Sequence, residues 1–255
     1  MPGFVDIHSH VLHGLDDGAR TIEDSLAMLE IADRSGTTDL VVTPHANSQY
    51  VFRPEMIAEQ ITQLQPRTPV RLHPGCDFHL SVGNIQDALA HPEKYTVNHG
   101  AYLLVEFPEL VMFRAADEIL RELLEAGMVP IISHPERNGH LRLRADDLAR
   151  WVKEGCYLQV TAASLTGLFG TEAQRSARQL IERGLVHIVA SDAHNTRQRP
   201  PGLGKAYERL VERWGEEAVR PLFVENPAAV VASAVIEDER PDLRRQRKWY
   251  QFWSV

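Results

Sequence analysis

His8 and His10 flank Ser9 in the N-terminal run FVDIHSH. In an extended chain, alternate residues project on one face with Cα atoms roughly 6.6 Å apart, so two imidazoles at this spacing can grip one metal ion. Alone, an HxH pair is weak evidence, because packed or incidental histidines also produce it. The case builds by accumulation. His45 closes TPH, Asp77 follows GC in GCDFH, Glu106 ends LLVE, His134 lies in ISHPER, and Asp192 and His194 lie in SDAH. Asp17, in the loop GLDDG, is close enough in sequence to reach the same place. A hydrogen-bonded strand-end histidine or a capping aspartate explains any one of these residues, but nine together point to a cation centre. Imidazoles and carboxylates without thiolates suit Mn, Fe or Zn and disfavour an iron–sulfur cluster. Nine donors exceed the needs of one ion, so two or three metals sharing a carboxylate are expected. Glu106, central in the strand order, is the expected bridge.

Such donors converge only if the elements carrying them end at one rim. Aliphatic and β-branched runs predict seven strands, Phe4–His8, Leu40–His45, Val70–Cys76, Ala101–Pro108, Val129–His134, Cys156–Thr161 and Val186–Asp192. Helically spaced stretches lie between them, such as Ile22, Leu26 and Leu29 before Gly36, with Thr21 as N-cap and Glu23 and Asp24 in the first turn. Near-continuous apolar strands suit a parallel sheet covered on both faces. Regular strand–helix alternation predicts an α/β fold, a distorted seven-stranded (β/α)7 TIM-like barrel. In barrels the C-terminal rim of the strands carries the active site.

Composition agrees. The 255 residues carry 27 Lys+Arg against 35 Asp+Glu, a net charge of −8, which argues against a broad grip on nucleic acid. Hydrophobic residues at 44% and charged residues at 24% fit a globular chain with a sizeable core. Cys76 and Cys156 form no metal-binding spacing, and a cytoplasmic location is expected without a leader or membrane span. Residues 1–236 are read as the barrel and residues 237–255 as a charged and aromatic tail, with Trp249, Phe252 and Trp253 folded back on it. His13, His73, His79, His91, His99, His140 and His187 are read as surface or core-edge residues, His79 being notable because it shares a face with Asp77 if that strand continues.

In their order and spacing, DIHSHVLHGLDDGA, TPH, GCDF, YLLVEFP, ISHPER and SDAHNTRQRP resemble the PHP (polymerase and histidinol phosphatase) superfamily. They are most similar to the bacterial manganese-dependent protein-tyrosine phosphatases of capsule and exopolysaccharide gene clusters. The resemblance runs from residue 4 to about residue 205 and implies three metals at a barrel rim, Mn²⁺ before Fe or Zn. It implies that His8, His10, Glu106 and Asp192 hold one ion, that Glu106 bridges to a second shared with Asp77 and His134, and that Asp17, His45 and His194 serve the third. Two departures stand out. Asp77 replaces the family's usual Glu with a shorter side chain, and QVTAASL stands where an Asn-containing strand is commoner, bearing on contacts near Thr161.

Arg137 in HPER and Arg199 in NTRQRP follow two of these motifs, and a guanidinium fork matches phosphate geometry. By resemblance they bind the phosphoryl oxygens, with Arg197 as the rival to Arg199. The expected function is phosphomonoester hydrolysis by attack of a metal-bridging hydroxide. The expected substrate is a phosphotyrosine protein, in the family a bacterial tyrosine kinase that controls capsule synthesis. Three alternatives stay open. They are histidinol phosphate or another small phosphomonoester as substrate, an amidohydrolase-type or deoxyribonuclease-type barrel, and a non-catalytic barrel that captures phosphorylated tails. Glu106 counts against an amidohydrolase, which commonly carries a modified lysine there.

Overall fold

A computed structural model of the chain describes residues 3–108 and 115–237. The tail aromatics Trp249, Phe252 and Trp253 lie outside the described residues. Nine strands are found among them, β1 (Phe4–Ser9), β2 (Thr37–Val42), β3 (His45–Ala46), β4 (Arg71–Pro74), β5 (Asp77–His79), β6 (Tyr102–Glu106), β7 (Val129–Ser133), β8 (Tyr157–Thr161) and β9 (Ile188–Ala190). All pairings are parallel, in one sheet of order β1-β2-β4 and another of order β3-β5-β6-β7-β8-β9. The second predicted strand therefore divides at Thr43–Pro44, and the third stops at Pro74, with Gly75–Cys76 separating it from β5, which lies past its predicted end. Pro44 has no N–H to give a ladder, which breaks the first of them. At the second break a Cβ on Gly75 would lie 2.6 Å from Val41 Cγ1, so only glycine allows this close approach. Beyond β9, a parallel bridge pairs Ser9 with Ala193, the Asp192 N–H donates to His8 O at 2.9 Å, and the His10 N–H donates to Ala193 O at 2.8 Å.

The connections are helical, as a parallel sheet demands. They are α1 (Ile22–Arg34), α2 (Pro54–Leu64), α3 (Val82–Ala90), α4 (Ala116–Glu125), α5 (Ala145–Lys153), α6 (Ala162–Thr166) and α7 (Gly170–Glu182), with α8 (Gly204–Trp214), α9 (Glu216–Val219) and α10 (Glu225–Val231) after the last strand. Thr21 caps α1 in a reciprocal box with Asp24, and Gly36 follows α1 at φ +89°, as the sequence predicts.

Side-chain alternation then sorts each strand into two faces. Leu103, Val105, Ile132, Leu158, Val160 and Val189 pack outward with the helices around Trp151 and Phe223. Tyr102, Leu104, Ile131, Ile188 and Ala190 join Val5, Ile7 and Val41 in a separate apolar cluster. Glu106 continues the face of Tyr102 and Leu104, and Asp192 that of Ile188 and Ala190. The donors thus stand above an apolar floor.

Candidate metal centre

Strand register brings distant parts of the chain level with one another. His45 pairs with Asp77 across β3 and β5, and His79 with Glu106 across β5 and β6. The irregular register between Asp6 and Ser9 accompanies the placement of His8 and His10 at the same rim. His134 and Asp192 lie just past the ends of β7 and β9 with φ of +33° and +51°, a region that costs about 1–3 kcal/mol for such residues and concentrates at functional sites.

The nitrogen chemistry shows what the cluster is able to hold. His10 Nδ1 lies 2.6 Å from Asp16 Oδ2, so this nitrogen carries the proton and donates to the carboxylate. His8 Nδ1 stands likewise 3.0 Å from the amide oxygen of Gln159. In the neutral rings both Nε2 atoms then offer lone pairs, and they face each other at 3.3 Å. Asp192 Oδ1 is 3.4 Å from both, and Asp77 Oδ2 is 3.4 Å from His8 Nε2 and 4.0 Å from His10 Nε2. Acceptors crowded this way repel unless a positive charge lies among them. Donors at about 2.0–2.2 Å from one divalent ion stand about 3.0–3.5 Å from each other, and the spacings among His8, His10 and Asp192 fit. Both Asp77 oxygens are buried without a hydrogen-bond partner, as is His45 Nδ1, although it lies 3.1 Å from Asp77 Oδ2. Buried carboxylate oxygens without donors are costly, and a shared cation explains them.

Four sets of donors lie close enough to share an ion, namely His10, Asp17, His45 and His194; His8, Asp77 and His134; His8, His10 and Asp192; and His45, Asp77 and Glu106. All nine expected ligands therefore fall in one contiguous cluster. Their grouping differs from the expectation. Glu106 stands with His45 and Asp77 rather than with His8, His10 and Asp192, and Asp77 is the carboxylate common to two sets. Register is the reason, since Asp77 is level with His45 while Glu106 is level with His79.

Without a cation the same positions attract protons. Burial would keep His10 neutral, but the Asp16 carboxylate outweighs it and pushes the ring up to about 9. Burial is likewise outweighed at His45, where Asp17 and Asp77 push it up to about 11. Burial and the Asp77 charge push Glu106 up to about 8. His194 goes the other way, to about 4, through burial and the nearby His10. His134 falls well below its usual range through burial and the Arg137 charge. Strong perturbation concentrated in one cluster is the electrostatic mark of a functional site.

Arg137 and Arg199 both end on Asp192 Oδ2, Arg199 at 2.5 Å, while Oδ1 of the same carboxylate faces the histidines. Arg199 Nε is buried and has no acceptor. Arg197 is exposed and lines a cleft of about 350 Å³ that starts at Asp17 and His194 and passes Arg20. Arg199 therefore takes the inner position and Arg197 the outer one. Thr161 is buried; its N–H donates to Glu136 at 2.9 Å, and its hydroxyl has no partner. His79 does continue the strand, half-buried and with Nδ1 unpartnered, but it joins none of the four donor sets.

Sequence reasoning missed three residues. Asp16 orients His10 and accepts the His45 backbone N–H at 3.0 Å. Its only sequence signal is being the other aspartate of GLDDG. Gln159 fixes His8 from the strand whose departure at Thr161 drew notice. Tyr50 stacks on His45 with ring centroids 6.0 Å apart, and nothing local marks it.

The chain matches the family described as capsular polysaccharide synthesis, CpsB/CapC, over residues 4–232. It is 32% identical to the tyrosine-protein phosphatase YwqE of Bacillus subtilis over 255 residues, covering 98% of this chain and 100% of that one. A crystal structure from work on YwqE of Bacillus subtilis and CpsB of Streptococcus pneumoniae, described as unique metal-dependent tyrosine phosphatases, superposes with a TM-score of 0.83 at 31% identity, covering 93% of this chain and 98% of that one. A lactonase from Listeria monocytogenes shares the fold alone, with a TM-score of 0.58 at 13% identity over 92% of this chain and 95% of that one. The chain belongs to the CpsB/CapC family of capsular polysaccharide synthesis.

Proposed function

We propose that this chain is a metal-dependent protein-tyrosine phosphatase that removes phosphate from a phosphotyrosine protein, in the cytoplasm, and that a bacterial tyrosine kinase controlling capsule or exopolysaccharide synthesis is that protein. The observation that carries the reading is the convergence of nine imidazole and carboxylate groups, several with buried atoms lacking partners, beside two arginines that share one carboxylate. His8, His10, Asp17, His45, Asp77, Glu106, His134, Asp192 and His194 would hold two or three ions, Mn²⁺ before Fe or Zn. Such ions, when bound, acidify water and draw charge from phosphoryl oxygens.

The chain's own residues supply the rest. Asp16 and Gln159 hold the proton on Nδ1 of His10 and His8 and turn Nε2 inward. Arg137 and Arg199 leave Asp192 for the phosphoryl oxygens, with the free Arg199 Nε–H as a ready donor. A tyrosine leaving group has a pKa of about 10, so it departs with little help from a general acid. The open cleft past Arg20 and Arg197 suits a segment of protein rather than an enclosed metabolite. In this reading the two sheets form one seven-membered barrel, β2 with β3 and β4 with β5 each counting as a single bent strand. The Ser9–Ala193 bridge supports closure at the seam. Residues 1–236 are the catalytic unit in this reading.

Chelator-stripped protein should regain turnover of a phosphotyrosine peptide with Mn²⁺ and prefer it to histidinol phosphate. His8→Ala and Glu106→Ala should abolish turnover while leaving the thermal transition in place. Full activity after chelation, or a preference for histidinol phosphate, would refute the proposal.

A further inference from the structure

We infer that Phe169 is a positioning residue, a neutral ring on which Arg137 and Arg199 both rest and which keeps them at the donor cluster when phosphate draws them off Asp192. The inference rests on the phosphatase reading above. The guanidinium carbon of Arg137 lies 4.3 Å from the ring centroid and that of Arg199 5.7 Å from it. Both fall within the ~6 Å over which a ring face attracts a cation. Phe169 is half-buried and belongs to none of the apolar core clusters, and among the described residues its ring meets no other aromatic ring. Core packing therefore does not account for it.

Electrostatics gives the ring its task. Two guanidiniums ending on one carboxylate oxygen repel each other, and Asp192 Oδ2 balances them only while it binds both. A phosphoryl dianion competes for the same donors and loosens that anchor. The ring is the other contact the two arginines have in common, and it is not consumed by phosphate.

The backbone holds the ring where this requires. Phe169 precedes α7 in a turn between Gly167 at φ +95° and Gly170 at φ +86°, closed by the Gly170 N–H donating to Gly167 O at 3.1 Å. Both glycines occupy the left-handed region that side chains disfavour. The end of β8 and the helix α6, which lead into this turn, are tied to the arginine loop. Glu136, the residue before Arg137, accepts from the Thr161 N–H at 2.9 Å and from the Ser164 hydroxyl at 2.7 Å, and it is fully buried. Glu136 thus ties the Arg137 loop to the element from which the turn carrying the ring begins.

The test compares Phe169→Leu and Phe169→Tyr with wild type, using a phosphotyrosine peptide for turnover and inorganic phosphate for calorimetric binding. Leucine keeps apolar bulk and removes the ring face, and tyrosine restores the face. Loss of two partly exposed cation–ring contacts should raise KM and weaken phosphate binding about 5–30-fold in Phe169→Leu. The fall in kcat should be smaller, metal content unchanged, and Phe169→Tyr close to wild type. Wild-type values for KM and phosphate affinity in Phe169→Leu would overturn the inference. So would a parallel loss of metal in both variants, which signals a merely structural role. A wild-type protein inactive on the peptide would sink the phosphatase reading instead, while the phosphate titration would still judge Phe169.

Discussion

Loading the centre with Mn²⁺ should expel protons, and their number follows from the site. At pH 7 the metal-free chain holds a proton on His45, pushed up to about 11, on His10, pushed up to about 9, and on Glu106, pushed up to about 8. Burial is outweighed at His8 as well, where the Asp192 and Asp77 charges raise the ring. His194, lowered to about 4, and His134, lowered further by burial, are already neutral and release none. A metal ligand must be deprotonated, so full loading should displace at least about three protons. The sign follows. Groups whose pKa is raised in the metal-free chain compete hardest at low pH, so apparent affinity rises with pH until each has emptied. The product of the loading constants should climb by at least about 10³ per pH unit below pH 7.5, and progressively more gently as Glu106 and then His10 empty. Calorimetric titration of chelator-stripped protein, in paired buffers of different ionisation enthalpy at pH 6.5 and 7.5, counts the protons directly. Loading with no proton release, or an affinity indifferent to pH, would refute the assignment of these three groups as ligands.

Asp16→Ala should weaken metal binding about 10–100-fold, the usual cost of losing the group that orients a ligating histidine, and should lower the proton count by about one because His10 loses its partner. Competition against a metal indicator measures it; unchanged affinity would remove Asp16 from the site. Arg137→Ala should chiefly weaken phosphate recognition, raising KM about 10–150-fold for one lost charge-assisted hydrogen bond worth ~1.5–3 kcal/mol. Unchanged kinetics would exclude its role. Gly18→Ala would set a Cβ 2.1 Å from His10 O, so the loop must shift. A cost of about 1–3 kcal/mol in thermal unfolding, with reduced metal content, is expected, and a wild-type transition would show that the loop yields freely.

Much of the fold is legible in the chain because it is written in local periodicity. The alternation of Tyr102, Leu104 and Glu106 against Leu103 and Val105 names both faces of β6 without reference to any other strand. Thr21, Asp24 and Gly36 mark the ends of α1 through backbone groups within one turn of them. The breaks at Pro44 and Gly75 were less readable. One depends on whether a missing N–H faces a partner, and the other on a side chain of the neighbouring strand.

For the site, the types of the nine donors came from the amino-acid order, and so did the strand-end positions of Glu106, His134 and Asp192, because a residue that ends an apolar strand stands where that strand emerges. His45 and Asp77, by contrast, open the short strands β3 and β5, and Asp17 lies in a loop. Which donors stand within one ion's reach of each other was decided by tertiary structure. Register between strands sets Asp77 level with His45 and Glu106 level with His79, so that Asp77 is the carboxylate common to two donor sets. Asp16 and Asp17 are neighbours in a loop where no period applies, yet one orients His10 and the other faces His45 and His194. Phe169 reaches Arg137 and Arg199 through a turn bounded by two left-handed glycines. Residue type and local period are properties of a few consecutive positions. Distances between side chains far apart in sequence depend on how the strands are aligned, and no stretch of sequence carries that alignment by itself.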